Sequence, residues 1–382
     1  MTAYFEGLSA QLTAHGVSQP VVVVDLDRYR ANIKVARGRI GAGLARRIVA
    51  KSLPSLSLID IAMEGLETDR LMTFSDDMLM TLLTRRPEAN HLLGKPFPGK
   101  TAARVLETCP AAAERVIWLV DTVERIGQYA ELAQARGVTL SVALEVDVGL
   151  HRGGVRIDDL SVVRDALAAR LELRFAGVMG YEPHLAKLKG GMGRRESARV
   201  DGALARVGEF AKALRADAIV NSGGSMTFSR YSPTGPVNEV ALGSVLVKPT
   251  DFDGAGEAFQ PAAFIATPIL KYLPHNPLPA MGAFRQYLGR AHRAQIAIWG
   301  GYWKGRPVYP EGYSYSRTFG HSSNQEVWSG PELPVSPVDG FAFLRPTQSE
   351  AVLAELGPIL ALSGGGTSAE WVEVLRQGQR EG

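Results

Sequence analysis

The chain has 382 residues, 46% of them hydrophobic and 21% charged, with 42 Lys and Arg against 39 Asp and Glu and a formal net charge of +3. Scattered arginines without a basic block argue against nucleic acid as a partner, and no run approaches the ~18 apolar residues a membrane helix needs. The single cysteine, Cys109, excludes an internal disulfide and a cysteine-based zinc site. The opening "MTAYFEGLSAQLTAHGV" has no charged-then-apolar leader pattern, so the expectation is a soluble, cytoplasmic protein.

Residues 1–19 precede the first strand-like run and are expected to pack as a helical extension. From there short apolar runs alternate with amphipathic stretches: "PVVVVDLD" (20–27), "RRIVAK" (46–51), "RLMTFSD" (70–76), "NHLLGK" (90–95), "RVIWLVD" (115–121), "LSVALEVDVG" (140–149), "LRFAGVMGY" (173–181) and "DAIVNSGG" (217–224). Runs this apolar suit strands covered on both faces. "DTVERIGQYAELAQARG" (121–137) opens on an Asp-Thr cap and closes on Gly, and "SARVDGALARVGEFAKALRA" (197–216) has apolar residues at helical spacing. Eight such alternations predict an α/β fold, a (β/α)8 TIM-type barrel over 20–255. The rival, a doubly wound open sheet, lacks its G-x-G-x-x-G after the first strand. Beyond about residue 255, Pro, Gly and aromatics rise. "AAFIATPILKYL", "AQIAIWGGYW", "GFAFLRP" and "GPILALSG" predict a second, mostly β domain over 256–382, with "TSAEWVEVLRQ" read as a helix.

Barrel active sites lie at the C-terminal ends of the strands. There "RRIVAKSLPS" ends an apolar run on Lys51. A lysine amine is nucleophilic only when neutral, so a partly desolvated mouth suits Schiff-base formation, whereas a solvated strand end would leave it inert. "NSGGS" (221–225) offers glycines whose N–H groups can approach an anion, and Ser222, Gly223 and Gly224 are candidate phosphate contacts, with "ALGS" (241–244) a second. In "EVDVGLHRGGV" (145–155), Arg152 follows a glycine turn and can hold a phenolate or carboxylate with paired donors. In "GVMGYEPHL" (177–185), Tyr181 can meet a ring nitrogen or merely pack, and His184 can serve as an acid–base group or a structural one. Asp25 and Asp147 read as caps or ion-pair partners. One cofactor uses all these parts: an aldehyde for lysine, a phosphate for glycines, a phenolate for arginine, a ring nitrogen for tyrosine. It is pyridoxal 5′-phosphate.

With "VVVVDLDRYRANI", "RRIVAKSLPSL", "LEVDVGLHRGGV", "GVMGYEPHL", "VNSGGSMTF" and "NEVALGSVLV" in this order, the chain resembles the fold-type III pyridoxal-phosphate enzymes with an alanine-racemase-like barrel. Within them it is most similar to the D-threonine aldolase and D-serine dehydratase group. The resemblance implies that Lys51 binds the cofactor covalently, Arg152 lies near its phenolic oxygen and Tyr181 meets the pyridine nitrogen. Ser222, Gly223, Gly224, Gly243 and Ser244 would cradle the phosphate. It also implies a head-to-tail homodimer in which the partner's β domain completes each site.

The pattern then breaks. The group's D-hydroxy-amino-acid lyases carry a divalent metal on a His-x-Cys or His-x-Asp pair. In "FLRPTQSEAV" (343–352), Gln348 and Glu350 stand at those positions. Glutamine is a poor transition-metal ligand beside imidazole, so no metal is assigned. Glu350, His321 or His184 are then candidate acid–base groups, and the aromatic run 300–326, with Tyr302, Tyr313 and Tyr315, either lines the mouth or packs. The reading is a pyridoxal-phosphate lyase on a small D-β-hydroxy amino acid, by dehydration and deamination or by retro-aldol cleavage, with Lys51, Glu350 and His184 as catalytic residues. The rivals are an amino-acid racemase and a non-catalytic pyridoxal-phosphate carrier.

Overall fold

The computed structural model describes residues 2–274 and 294–375. The chain divides into two compact units. One holds Asn32–Leu246 with Gly254–Phe259. The other holds the chain up to Ala31, Val247–Asp253 and the described part of Gln260–Val374.

The strands in chain order begin with β1 (Val21–Asp25), β2 (Ala45–Val49), β3 (Arg70–Thr73), β4 (Asn90–Leu93) and β5 (Val116–Val120). β6 (Leu140–Glu145), β7 (Leu173–Met179), β8 (Ile219–Ser222) and β9 (Glu239–Leu242) follow. β2 to β9 form a closed barrel. Each neighbour pair is parallel, and β9 closes on β2 with Ala45 opposite Glu239 and Ile48 opposite Leu242. The intervening helices bury one face. In Gly190–Leu214, the residues Val200, Leu204, Val207 and Ala211 recur every three or four positions and are buried. Val123–Arg136 starts where the Thr122 hydroxyl accepts from Arg125 N and stops at Gly137 with φ 64°, as a cap and a left-handed C′ residue require.

The expected barrel is present, but its membership differs by one strand. "PVVVVDLD" is not in it. β1 instead lies between an antiparallel and a parallel neighbour in the other unit. Those neighbours are β10 (Ala263–Leu273) and a strand near the chain's end, with Val23 opposite both Phe264 and Leu360. A strand with neighbours on both edges and cover on both faces reads as a continuous apolar run in either setting. The barrel's eighth strand is β9, four residues long, a stretch in which the sequence shows only a second anion contact.

The remaining strands are β11 (Ala294–Trp299), β12 (Gly305–Tyr309), β13 (Ser314–Tyr315), β14 (Gln325–Gly330), β15 (Phe341–Pro346), β16 (Ile359–Ser363) and β17 (Ser368–Val372). The sheet runs β13-β14-β11-β10-β1-β16-β17, with β15 pairing β10 and β12. The N-terminal helix Thr2–Ala14 buries Phe5, Leu8 and Leu12 with Val21, Val23, Phe264, Phe343 and Leu360. It therefore belongs to the core of this β-rich unit. "TSAEWVEVLRQ", expected as a helix, contains β17 instead; Ser368–Val372 pairs antiparallel with β16. Its Trp and Val fit a pleated edge as well as a helix face. Positions 376 and 377 of that stretch lie outside the described residues.

Candidate active site

At the β2 end the strand stops at Val49, and Lys51 sits in the 3-10 turn Ala50–Ser52. Lys51 is half-buried, with Nζ 4.4 Å from the centroid of the Phe74 ring beyond β3. An aromatic face beside an amine replaces part of its hydration while still attracting its charged form. Next to it, the Ser52 hydroxyl lies 2.8 Å from that of Ser244, which follows β9. Gly243 allows this closeness, because a Cβ there would fall 2.8 Å from Val49 O and 3.0 Å from Ser52 Cβ.

The loop after β8 ties the two halves of the site together. The Ser225 hydroxyl accepts from Gly243 N at 3.3 Å and Val245 N at 3.1 Å. On its other side, a Cβ on Gly224 would fall 2.8 Å from the Tyr181 ring and 3.5 Å from its hydroxyl. Tyr181, after β7, lies under the Arg152 guanidinium, 5.2 Å from carbon to ring centroid. Lys51, Ser52, Gly243, Ser244, Ser225, Gly224, Tyr181 and Arg152 thus form one chain of contacts across five strand ends.

Three of the predicted phosphate contacts, Ser222, Gly223 and Gly224, have polar partners within the protein. The Ser222 hydroxyl donates to Glu182 Oε2 at 2.7 Å, and Gly223 N donates to the same oxygen at 3.2 Å. Ser222 also meets the Tyr231 hydroxyl at 3.1 Å. Glu182 is fully buried, and its other oxygen has no partner among the described residues. Gly224 N donates to Thr227 Oγ1 at 3.1 Å. The N–H groups of Ser225 and Met226 have no intramolecular partner among the described residues, so the donors open to an anion lie just past the glycine pair. Glu182 and Ser225 were missed; the serine ending "NSGGS" was the available signal for the second, and nothing local marked the first.

The loop after β6 leaves the barrel and returns within a few residues, with Asp147 N donating to Val155 O at 2.9 Å and Val155 N to Glu145 O at 2.8 Å. Within it Gly149, His151, Gly153 and Gly154 have φ of 130°, 55°, 148° and 92°. Burial pushes the Glu145 carboxyl up, Asp121 adds to this, and Arg152 opposes it. Asp147 is the ion-pair partner of the two roles expected for it, facing His151 four residues on. It accepts from Gly149 N, His151 N and His151 Nδ1 at 2.9, 3.0 and 2.7 Å. Burial pushes Asp147 up, yet the donors from His151 and Gly149 outweigh it and hold the carboxyl below its ordinary value. His184 lies in the turn Pro183–Lys187 with Nε2 3.0 Å from Glu196 Oε1. Arg199, with opposing burial and a further contribution from His184, holds Glu196 down at about 2.

Glu350 belongs to the other unit, where it opens the short helix Glu350–Leu353 and accepts from the Ser349 hydroxyl at 3.0 Å. Gln348 and Glu350 offer an amide and a carboxylate, oxygen donors that suit hard ions rather than the softer transition metals that imidazole and thiolate hold. Among the described residues no group of three His, Cys, Asp or Glu side chains is arranged to hold one. In the same unit Glu326 is fully buried and takes Tyr302 N at 2.8 Å and His321 Nδ1 at 3.0 Å. Tyr315 donates to Gly305 O at 2.5 Å and Tyr313 to Pro331 O at 2.8 Å, so both hydroxyls are engaged within the sheet.

Residues 24–251 match the model of the alanine racemase N-terminal domain family. The chain belongs to that family. A 3-hydroxy-D-aspartate aldolase of Paracoccus denitrificans strain Pd 1222 is 29% identical over 185 residues, 44% of this chain and 47% of the aldolase. The chain thus spans about half the length of the curated relatives it matches. Among solved structures, D-threonine aldolase from Filomicrobium marinum superposes with a TM-score of 0.74 at 16% identity, over 94% of this chain and 97% of that one. D-threo-3-hydroxyaspartate dehydratase from Delftia sp. HT23 gives 0.75 at 16%, over 94% and 97%. Alanine racemase from Clostridium difficile 630 gives 0.71 at 12%, over 94% and 98%. At these identities the solved structures establish the fold: an alanine-racemase-like barrel with a mostly β second domain. No helix among the described residues is long and apolar enough to cross a membrane.

Proposed function

We propose that this member of the alanine racemase N-terminal domain family is a pyridoxal-phosphate-dependent lyase acting on a small D-β-hydroxy amino acid. The observation that carries the reading is the contact chain from Lys51 through Ser225 and Gly224 to Tyr181 and Arg152. It joins an amine, an anion-binding turn, a phenol and a guanidinium within one barrel mouth. The cradle fits the cofactor, because Gly224 and Gly243 lie where a methyl group would collide with Tyr181 and Val49.

Lys51 would hold the cofactor's aldehyde carbon, Ser225 and Met226 N–H its phosphate, Arg152 its phenolic oxygen and Tyr181 its ring nitrogen. Ser222, Gly223, Gly224, Gly243 and Ser244 would shape that phosphate cup; Glu182 fixes the first two from behind. When bound, pyridoxal phosphate supplies an electron sink for the pair left at Cα when a bond there breaks. Lys51, half-buried beside Phe74, would be the group to carry a proton at Nζ when not bound to the cofactor. His184, bonded through Nε2 to Glu196, is read as a support for that carboxylate, and Glu350, in the other unit, is assigned no step. Gln348 and Glu350 bring neither imidazole nor thiolate, so no metal is assigned to them and no step is routed through one. We read the protein as a cytoplasmic homodimer, which sedimentation of the purified protein checks.

Lys51→Ala decides the cofactor. The expected result is loss of the visible band of lysine-bound cofactor and of all turnover, with the fold retained by circular dichroism; an unchanged band refutes the assignment. A second reading, a racemase, draws on the superposition with alanine racemase. Incubation with single enantiomers separates the two. A racemase interconverts them, and a lyase yields an oxo acid, or glycine plus an aldehyde.

A further inference from the structure

Two histidines stand at the mouth, each on a carboxylate, and their environments differ. His184 has one ring nitrogen on Glu196 at 3.0 Å and the other, Nδ1, buried without a partner among the described residues. Neither nitrogen is open to a ligand. His151 has Nδ1 on Asp147 at 2.7 Å, and its side chain is 68% exposed. Because Asp147 also takes two backbone N–H groups, it is ionised at neutral pH and fixes the proton on Nδ1. The neutral ring then presents the Nε2 lone pair outward, the orientation a general base needs. His151 also has φ 55°. A non-glycine residue held in the left-handed region is strained and persists where its surroundings over-determine it. Here those surroundings are Asp147 and the narrow loop base. Its neighbour Arg152 lies on Tyr181. The loop tip is braced by Arg199, which donates to Gly149 O at 3.2 Å and binds Glu196 at 2.7 Å.

Resting on the lyase reading, we propose that His151, oriented by Asp147, accepts the proton of the substrate's β-hydroxyl in retro-aldol cleavage. Nε2 takes the hydroxyl proton, the O–H pair becomes the π bond of the aldehyde, and the Cα–Cβ pair stays on Cα. Cα then gains a proton, His151 releases its own to solvent, and the products are an aldehyde and glycine. No oxidant or reductant enters. His184, with both nitrogens occupied or buried, is a positioning residue that braces Glu196 and Arg199 against the loop.

The test separates the hydroxyl step from Cα chemistry, because exchange of a glycine Cα proton with deuterated water involves no β-hydroxyl. His151→Gly keeps the left-handed backbone open to it. Cleavage of D-threonine or 3-hydroxy-D-aspartate is expected to fall at least about 100-fold, as for loss of a general base. Glycine exchange and the cofactor band are expected to stay within about threefold, and added imidazole to restore part of the cleavage. If this variant does not fold, His151→Asn, which also tolerates positive φ, takes its place. Cleavage within about threefold of wild type in a folded variant, or equal loss of cleavage and exchange, overturns the assignment to His151 while leaving the lyase reading intact. Wild-type protein with neither band nor exchange sinks that reading and this inference with it.

Discussion

The two ends of the barrel are built on opposite principles. At the C-terminal mouth, backbone conformation is unusual and side chains are half-open. Gly149, His151, Gly153, Gly154 and Gly223 all have positive φ, and loop hydroxyls and carboxylates serve mainly to hold other loops. At the N-terminal end, side chains lock the strands. Arg47 is fully buried and meets Glu239 through two bonds, 2.6 and 2.9 Å. It also donates to Leu71 O at 2.9 Å and Asn90 Oδ1 at 3.0 Å. Arg70 and Asn221 complete Glu239 at 2.7 and 2.9 Å. Burial pushes Glu239 up, but Arg47 and Arg70 hold it below its ordinary value. One end invests in shape for a ligand, the other in a satisfied ion network. A cleft of 570 Å³ does open among Arg70, Arg174, Arg215 and Asp217 at that locked end; it lies away from the contact chain of the mouth.

Breaking the locked end is expected to have the largest effect. Arg47→Met leaves Glu239 and Asn90 without their main partner in a buried setting, and removing one member of such a pair costs about 3–5 kcal/mol. Urea unfolding should show that loss, and any activity that survives should keep its KM. At the mouth the same test inverts. Gly224→Ala drives a methyl group at the Tyr181 ring, and a displacement of about 1 Å in a positioning group can cost about 100-fold in rate. Stability should change by under about 1 kcal/mol, since the Tyr181 ring is only half-buried and can shift. A stable, fully active Gly224→Ala protein would break the comparison.

The smallest effect is pH-dependent. His91, in β4, is fully buried with neither ring nitrogen paired among the described residues. Burial first, then Arg47 and Arg115, holds its pKa down to about 3, against 6.5 unperturbed. The folded ring resists a proton that the unfolded one accepts. Stability is therefore full above pH 6.5 and declines as pH falls from there toward 3. At pH 5 the loss is about 2 kcal/mol. His91→Leu should flatten this limb between pH 7 and 5 in thermal melts. An unchanged slope would show that other groups set it.

Much of this was legible in the chain. β2 to β8 announce themselves as apolar runs, and Lys51, Arg152 and Tyr181 stand where the rule of strand ends puts chemistry. Three things were not legible. β1 reads as a barrel strand because burial on both faces looks alike in any sheet. β9 is as long as β3, β4 and β8, but it follows β8 without an α-helix between them, so the strand–helix rhythm does not mark it, and only its pairing with β2 and β8 makes it visible. Glu182 and Ser225 act across loops distant in sequence, and no local period encodes which hydroxyl will meet which amide. His151 shows the same limit: a histidine in a glycine-rich loop is unremarkable until its φ and its carboxylate are seen together.

The placement of β1 has a bearing on how the molecule can be divided. A strand that enters before the barrel is hydrogen-bonded on one edge to Ala263–Leu273 and on the other to Ile359–Ser363. The β-rich unit therefore wraps around the barrel in sequence, and no single cut separates the two. Removing the first 25 residues strips the middle ribbon from that sheet and leaves two open edges. Synthesis must pass Ser363 before this ribbon finds both neighbours, so the sheet closes at high loop entropy, whereas every barrel pairing is available once Leu242 has been made.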